Sequence, residues 1–227
     1  MTEPEPVTIP GLRSPQLLHA FSTLDWGSMV SADLRRRFVA AAGLDGSQVA
    51  LARAVHGADV AVVRSPGPVE AVDGLITERP RLGLMLLLAD CYGVVLHDPR
   101  RGVLGLVHSG WRGTAGRVVE VALGIMERDF NCHPEDVVAG IGPGICGACY
   151  EVGEDVGELF DSAFTRPSGA GRILLDLRAC ITAQLLRSGL GSDHVHAHGA
   201  CTREDAQFPS HRRAATGERF ACLAAMI

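Results

Sequence analysis

Residues 83–108, GLMLLLADCYGVVLHDPRRGVLGLVH, decide how this chain folds. Three apolar runs, Gly83–Ala89, Gly93–His97 and Val103–Val107, follow one another closely. They are short and flanked by Gly and Pro, which predicts strands buried in a sheet and not a helix. Pro99-Arg100-Arg101-Gly102 reads as a hairpin turn, so Asp98 faces Val103 and counting outward sets Gly93 opposite His108. Cross-strand partners lie roughly 5 Å apart and diagonal ones roughly 7–8 Å. Cys91, two residues before Gly93, therefore falls within reach of His108 at one end of the sheet. A slip of one residue would turn the two side chains apart.

Working outward, Ser31–Leu44 reads as a helix that Ser31 caps and Gly43 ends. Gln48–Val55 and Val60–Val63 read as strands on either side of His56-Gly57-Ala58-Asp59. Thr114–Phe130 carries Val118, Val121, Ala122, Ile125 and Met126 at helical spacing. Val137–Ile141 is a short strand before Gly142-Pro143-Gly144, and Glu151–Phe164 and Leu177–Ser188 read as helices. Ile173–Leu175, Val195–His198 and Phe220–Ile227 complete a set of short strands. Hairpins mixed with isolated helices, without regular βαβ alternation, predict an α+β fold. The expected organisation is a flexible lead over 1–14 and one catalytic domain over 15–227.

Composition narrows the chemistry. The chain has 227 residues, 47% hydrophobic and 21% charged, the balance of an ordinary globular protein. All 21 basic residues are arginine, so lysine-dependent phosphate loops and Schiff bases are excluded and arginine must bind any anion. A net charge of −5 argues against nucleic-acid binding. The acidic, proline-rich start MTEPEP does not read as a signal peptide, and the apolar run Leu82–Ala89 is far shorter than the roughly 20 residues of a membrane span. Seven scattered cysteines, an odd number, predict reduced thiols and a cytoplasmic location.

Cys91 and His108 beside Asp90 are ligand or nucleophile material, the bland alternative being a buried structural cysteine. His56, at a break between strands, is a third candidate. Should it join them, two imidazoles and one thiolate with a fourth position open form the donor set of a catalytic zinc. Ser109-Gly110-Trp111-Arg112-Gly113 leads from His108 into a helix, where Arg112 and the Gly113 amide suit a phosphate; the bland reading is a tight turn with a packed tryptophan.

Five stretches resemble the motifs of the YfiH-type family: His56-Gly57-Ala58-Asp59-Val60, Ala89-Asp90-Cys91, His108-Ser109-Gly110-Trp111-Arg112-Gly113, Ile141-Gly142-Pro143-Gly144-Ile145 with Tyr150-Glu151-Val152-Gly153, and Ser210-His211-Arg212-Arg213. They fall in the family's order from about His19 to the C-terminus. Members have been labelled laccase-like polyphenol oxidases and peptidoglycan editing factors, and are regarded as purine nucleoside phosphorylases that also deaminate adenosine and cleave methylthioadenosine. The resemblance implies layered mixed β-sheets with outer helices, akin to the cytotoxic-necrotising-factor deamidases. It also implies a zinc held by His56, Cys91 and His108. One family feature is absent: leucine stands at position 24, where an early arginine is usual, and Arg35, Arg36 and Arg37 lie on a solvated helix face.

The leading expectation is thus a zinc enzyme that cleaves adenosine, inosine or methylthioadenosine with phosphate and deaminates adenosine. Cys91, His108, Asp90 and Arg112 are its catalytic candidates, with Asp90 moving protons. Arg112, Gly113, Arg212 and Arg213 are the candidates for binding substrate or phosphate. The rivals are a Cys-His thiol hydrolase acting on an amide of peptidoglycan and a copper polyphenol oxidase. The expected state is monomer or homodimer. Cys146-Gly147-Ala148-Cys149 reads as incidental thiols for want of a second such pair, and His194, His196 and His198 as a solvated edge.

Overall fold

A computed structural model describes residues 3–14 and 16–227; Met1, Thr2 and Pro15 lie outside the described residues. The strands are β1 (Leu17–Phe21), β2 (Val49–Arg53), β3 (Val60–Val62), β4 (Gly67–Glu70), β5 (Gly74–Thr77), β6 (Gly83–Leu88), β7 (Tyr92–Asp98) and β8 (Val103–Ser109). They continue as β9 (Val138–Ile141), β10 (Glu151–Gly153), β11 (Thr165–Gly169), β12 (Arg172–Leu175), β13 (Val195–Ala197) and β14 (Phe220–Met226). The α-helices are α1 (Ala32–Ala41), α2 (Trp111–Ala115), α3 (Val118–Phe130), α4 (Glu154–Gly157) and α5 (Leu177–Arg187).

The fold is α+β, a single domain in layers. A five-stranded sheet, β1-β14-β6-β2-β4, packs on a six-stranded sheet, β13-β9-β7-β8-β5-β3. Period-two alternation divides the side chains between layers. Leu84, Leu86 and Leu88 of β6 and Phe220, Cys222 and Ala224 of β14 meet Val95, Leu104 and Leu106 between the sheets. Met85, Ala221 and Leu223 point the other way, onto Phe38 and Val39 of α1. Val94, Leu96 and Val107 face the opposite side, where Val118, Ala122 and Met126 of α3 and Ile181 and Leu185 of α5 cover them. Strands buried on both faces therefore read as continuous apolar runs. Each Val, Leu, Ile, Met or Phe among them contributes roughly 1.5–3 kcal/mol on burial.

The hairpin register is as counted: Asp98 pairs with Val103 and Gly93 with His108. Asp98 fixes the turn, its Oδ1 accepting from Arg100 N and Arg101 N at 2.9 Å each. Two helix expectations need correction. Thr114–Phe130 is broken in two, because Arg117 takes a left-handed conformation (φ 59°) that lets α2 pack beside the His56 loop while α3 lies on the sheet. Glu151–Phe164 is mostly not helical: Val152 and its neighbours pair with β12 in a three-stranded sheet, and only the one-turn α4 and a short 3₁₀ turn remain. Gly153 and Gly157 weaken any longer helix there.

The expected lead over 1–14 is in part packed. Val7 bridges Phe21, and Ile9 and Leu12 are buried between elements of the core. His19 Nε2 accepts from Ile9 N at 2.9 Å, which ties this segment to β1. No helix among the described residues is long and apolar enough to cross a membrane.

Candidate active site

The six-stranded sheet brings one strand and two loops together at one end. Cys91 immediately precedes β7, His108 is the penultimate residue of β8, and His56 lies in the loop from β2 to β3. One ligand atom from each lies within 4.8 Å of the other two. The His56 and His108 rings meet edge to face, with centroids 4.9 Å apart. His108 is buried and His56 exposed, so the trio is anchored on one side and open on the other.

Asp73, which no sequence motif singled out, organises the trio. It is fully buried just before β5, the strand next to β8. Its Oδ1 lies 2.7 Å from His108 Nδ1 and accepts from His56 N at 2.9 Å. Its Oδ2 accepts from Gly57 N at 2.7 Å and from Val55 N at 3.2 Å. Burial alone would raise this carboxyl, but His108 and the backbone donors outweigh it and hold Asp73 below the usual carboxylate range. An ionised carboxylate only accepts, so His108 donates from Nδ1 and turns Nε2 toward the trio. This carboxylate–imidazole pair is how metal-binding histidines are oriented.

Burial disfavours a Cys91 thiolate, yet hydrogen bonds from His108 and His56 overcome it and bring the thiol down to about 6. Burial likewise opposes the His108 imidazolium, and contacts with Asp73 and Cys91 carry it up to about 9. Two histidines and a readily ionised thiol suit a borderline divalent ion. Backbone shape leaves room for it: a Cβ on Gly110 would sit 2.8 Å from Cys91 Sγ and 3.5 Å from His56 Cδ2, so only glycine lets the loop pass beside the trio. His56 (φ 62°) and Asp90 (φ 83°) both hold left-handed conformations, a strain typical of functional loops.

A cleft of about 790 Å³ opens over the trio. Arg112, stacked 4.1 Å from the Trp111 ring, and Arg212, 4.9 Å from the Tyr150 ring, line it. Arg53, Arg219 and His211 line it too; sequence reasoning missed them because each sits outside the stretches quoted for chemistry or, for His211, beside more conspicuous arginines. Burial pushes the Tyr150 phenol up to about 12, so it remains a donor at neutral pH.

Two expectations change. Arg213 does not reach the cleft: its Nη1 donates to the carbonyls of Thr202, Arg203 and Asp205 and its Nη2 to that of Phe208. Gly113 packs under the turn instead of lining the cleft, since a Cβ there would stand 2.9 Å from the Gly57 carbonyl. Asp90 lines the cleft, but both of its oxygens are engaged by the protein. Its Oδ1 accepts from the Thr202 hydroxyl at 2.7 Å and its Oδ2 from Arg212 N at 2.8 Å.

Among the described residues, His194, His196 and His198 form no metal-competent group. His198 Nδ1 accepts instead from Ala200 N at 3.1 Å.

Residues 19–226 match the family model described as multi-copper polyphenol oxidoreductase laccase. A Deinococcus radiodurans protein named purine nucleoside phosphorylase is 36% identical over 95% of this chain and 92% of its own length. A Streptomyces coelicolor protein with the same activity in its name is 40% identical over 79% of this chain and 75% of its own. Among solved structures, YlmD from Geobacillus stearothermophilus aligns with a TM-score of 0.88 at 27% identity, covering 96% of this chain and 93% of that one. Bacillus licheniformis YfiH shares the fold at a TM-score of 0.87 and 23% identity, covering 95% and 98%. With a family model spanning nearly the whole sequence and relatives above 30% identity, this chain belongs to the YfiH, laccase-like family.

Proposed function

We propose that this protein is a zinc-dependent purine nucleoside phosphorylase that also deaminates adenosine. The observation that carries the reading is the convergence of His56, Cys91 and His108 beneath a cleft edged by Arg112 and Arg212. The names of its relatives support nucleoside and phosphate as substrates. His56, Cys91 and His108 would hold the ion, which when bound supplies a Lewis acid at the floor of the cleft.

The chain's own side chains do the positioning. In phosphorolysis a phosphate oxygen forms a bond to ribose C1′ while the bond from C1′ to the purine nitrogen breaks. Arg112 and Arg212 present forked, permanently charged donors that suit phosphate in a protein without lysine. Trp111 and Tyr150 hold these guanidinium planes by stacking. Asp90 fixes the backbone of Arg212, and Arg212 Nη1 donates to the Glu151 carbonyl at 2.7 Å, which leaves its other nitrogens for ligand. Asp73 holds the His108 ring through Nδ1 and fixes the His56 loop through its backbone N–H.

Chromatography of adenosine incubated with the protein tests this. Free adenine that appears only with phosphate marks phosphorolysis, and inosine marks deamination. Unchanged adenosine with metal-loaded protein would overturn the proposal.

One observation favours a second reading. Asp73, His108 and Cys91 also form an acid–imidazole–thiol chain, the arrangement of a thiol hydrolase. His56 at the same sulfur speaks for metal. A His₂Cys set also suits copper. Metal analysis of protein purified without added metal separates the three: zinc or copper near stoichiometry that vanishes in Cys91→Ala, or none.

A further inference from the structure

The molecule holds a second cluster outside the cleft floor. Cys146 and Cys149, in the loop after β9, meet Cys201 and Glu204, in the loop after β13. One atom from each lies within 4.8 Å of the others. The pair that seemed to lack a partner in the sequence thus finds one 55 residues away.

We propose that Cys146, Cys149, Cys201 and Glu204 form a structural zinc site. Four donors converging from two loops match the closed, four-coordinate pattern of structural zinc, with the Cys-x-x-Cys spacing common in such sites. Tetrahedral bonds of about 2.3 Å set ligand atoms about 3.8 Å apart, so binding needs only a small inward movement. The carboxylate decides the metal class: three thiolates alone would also suit copper(I) or an iron–sulfur cluster, whereas a hard oxygen in fourth place suits zinc.

The backbone is already arranged for a thiolate. Cys146 N–H donates to Cys201 Sγ at 3.3 Å, so one loop already holds the sulfur of the other. Cys201 is buried, and Cys149 Sγ lies 3.3 Å from Glu204 Oε1. Arg203 Nη1 donates to the Cys149 carbonyl at 3.1 Å, a further tie between the two loops.

Its role follows from what the two loops carry. Thr202, next to Cys201, donates to Asp90, and Tyr150, next to Cys149, underlies Arg212. An ion here would pin together the two loops that form the Arg212 wall of the cleft.

The test is metal content of the full chain purified without chelator, beside a Cys146→Ser/Cys149→Ser variant. The proposal expects the variant to hold one equivalent of zinc less than the parent, whatever the content of the His56–Cys91–His108 site. An unchanged zinc content in folded variant overturns it. Should the variant fail to fold, native iodoacetamide labelling of the parent decides. Cys146 and Cys201 should label at least about tenfold more slowly before a chelator releases zinc than after, and together. Equal labelling before and after, or an intact mass and peptide map showing a Cys146–Cys149 disulfide in the purified protein, overturns it.

Discussion

The His56–Cys91–His108 trio and the Cys146–Cys149–Cys201–Glu204 group are built from different kinds of scaffold. Strand register makes the first: His108 is held on β8 by pairing with Gly93, and Asp73, just before the neighbouring β5, reaches the His108 ring and the His56 backbone. It has three donors, a buried orienting carboxylate and a cleft above it. Two loops make the second, with four donors, no orienting carboxylate beyond Glu204 and a backbone N–H at its buried sulfur. An open set anchored at strand ends suits chemistry, and a closed set between loops suits a staple.

Cys91→Ala should break this contrast most visibly. It removes the sulfur that both histidines face, so turnover of adenosine should fall at least about a thousandfold, several kcal/mol of transition-state stabilisation. Single-turnover chromatography reads it, and activity within tenfold of the parent would place the chemistry elsewhere. Asp73→Asn comes next. An amide keeps the shape but cannot enforce the His108 tautomer or the charge, and zinc affinity or turnover should drop about 10–100-fold. Competition with a chelating dye reads the affinity.

The contrast also explains what the sequence could and could not yield. Cys91 and His108 were legible because a tight hairpin has a countable register, and Asp98 to Gly102 is such a turn. Asp73 was not legible. It precedes a four-residue strand, Gly74–Thr77, too short for any periodic signal, and its partners are backbone groups 16 to 18 residues earlier and the His108 ring 35 residues later. Cys146–Cys149 was read as isolated because its partners arrive from a loop whose position depends on β13 lying parallel to β9, a pairing no local pattern encodes. The α+β class was readable from hairpins mixed with isolated helices, whereas the layering followed only from the family resemblance. The break at Arg117 was not legible, since the apolar face of α3 continues the spacing expected of one helix.

Arg212 and Arg213 sharpen the comparison at the boundary between the two clusters. Arg212→Met should raise the KM for phosphate about tenfold with little loss of stability, because its guanidinium faces the cleft. Arg213→Met should do the opposite. Four carbonyls around Thr202–Phe208 lose their donor, which costs about 2 kcal/mol and lowers Tm by about 4–8 °C. Phosphate kinetics beside thermal unfolding separate the two, and equal KM effects would put Arg213 in the cleft after all.

The smallest effect concerns the thiols of metal-stripped protein. Cys91 sits near 6 and Cys149 near 12, the latter raised first by burial and then by Glu204 and its cysteine neighbours. As pH rises, Cys91 alkylation should therefore reach half its plateau near pH 6, while Cys149 stays unreactive through neutrality. The sign follows from linkage. Folding favours the Cys91 thiolate, so its stabilising contribution is present above the unfolded value and fades as pH falls through about 6; that of His108 is present below the ordinary imidazole value and fades as pH rises through about 9. The rate gain is modest. At pH 7 the thiolate is nearly fully formed, but a weaker base is also a weaker nucleophile, leaving Cys91 about fourfold faster than an ordinary thiol. His56→Ala should move the midpoint upward by removing one of the two imidazoles at the sulfur. A midpoint that stays put would mean that His56 does not share Cys91 with His108.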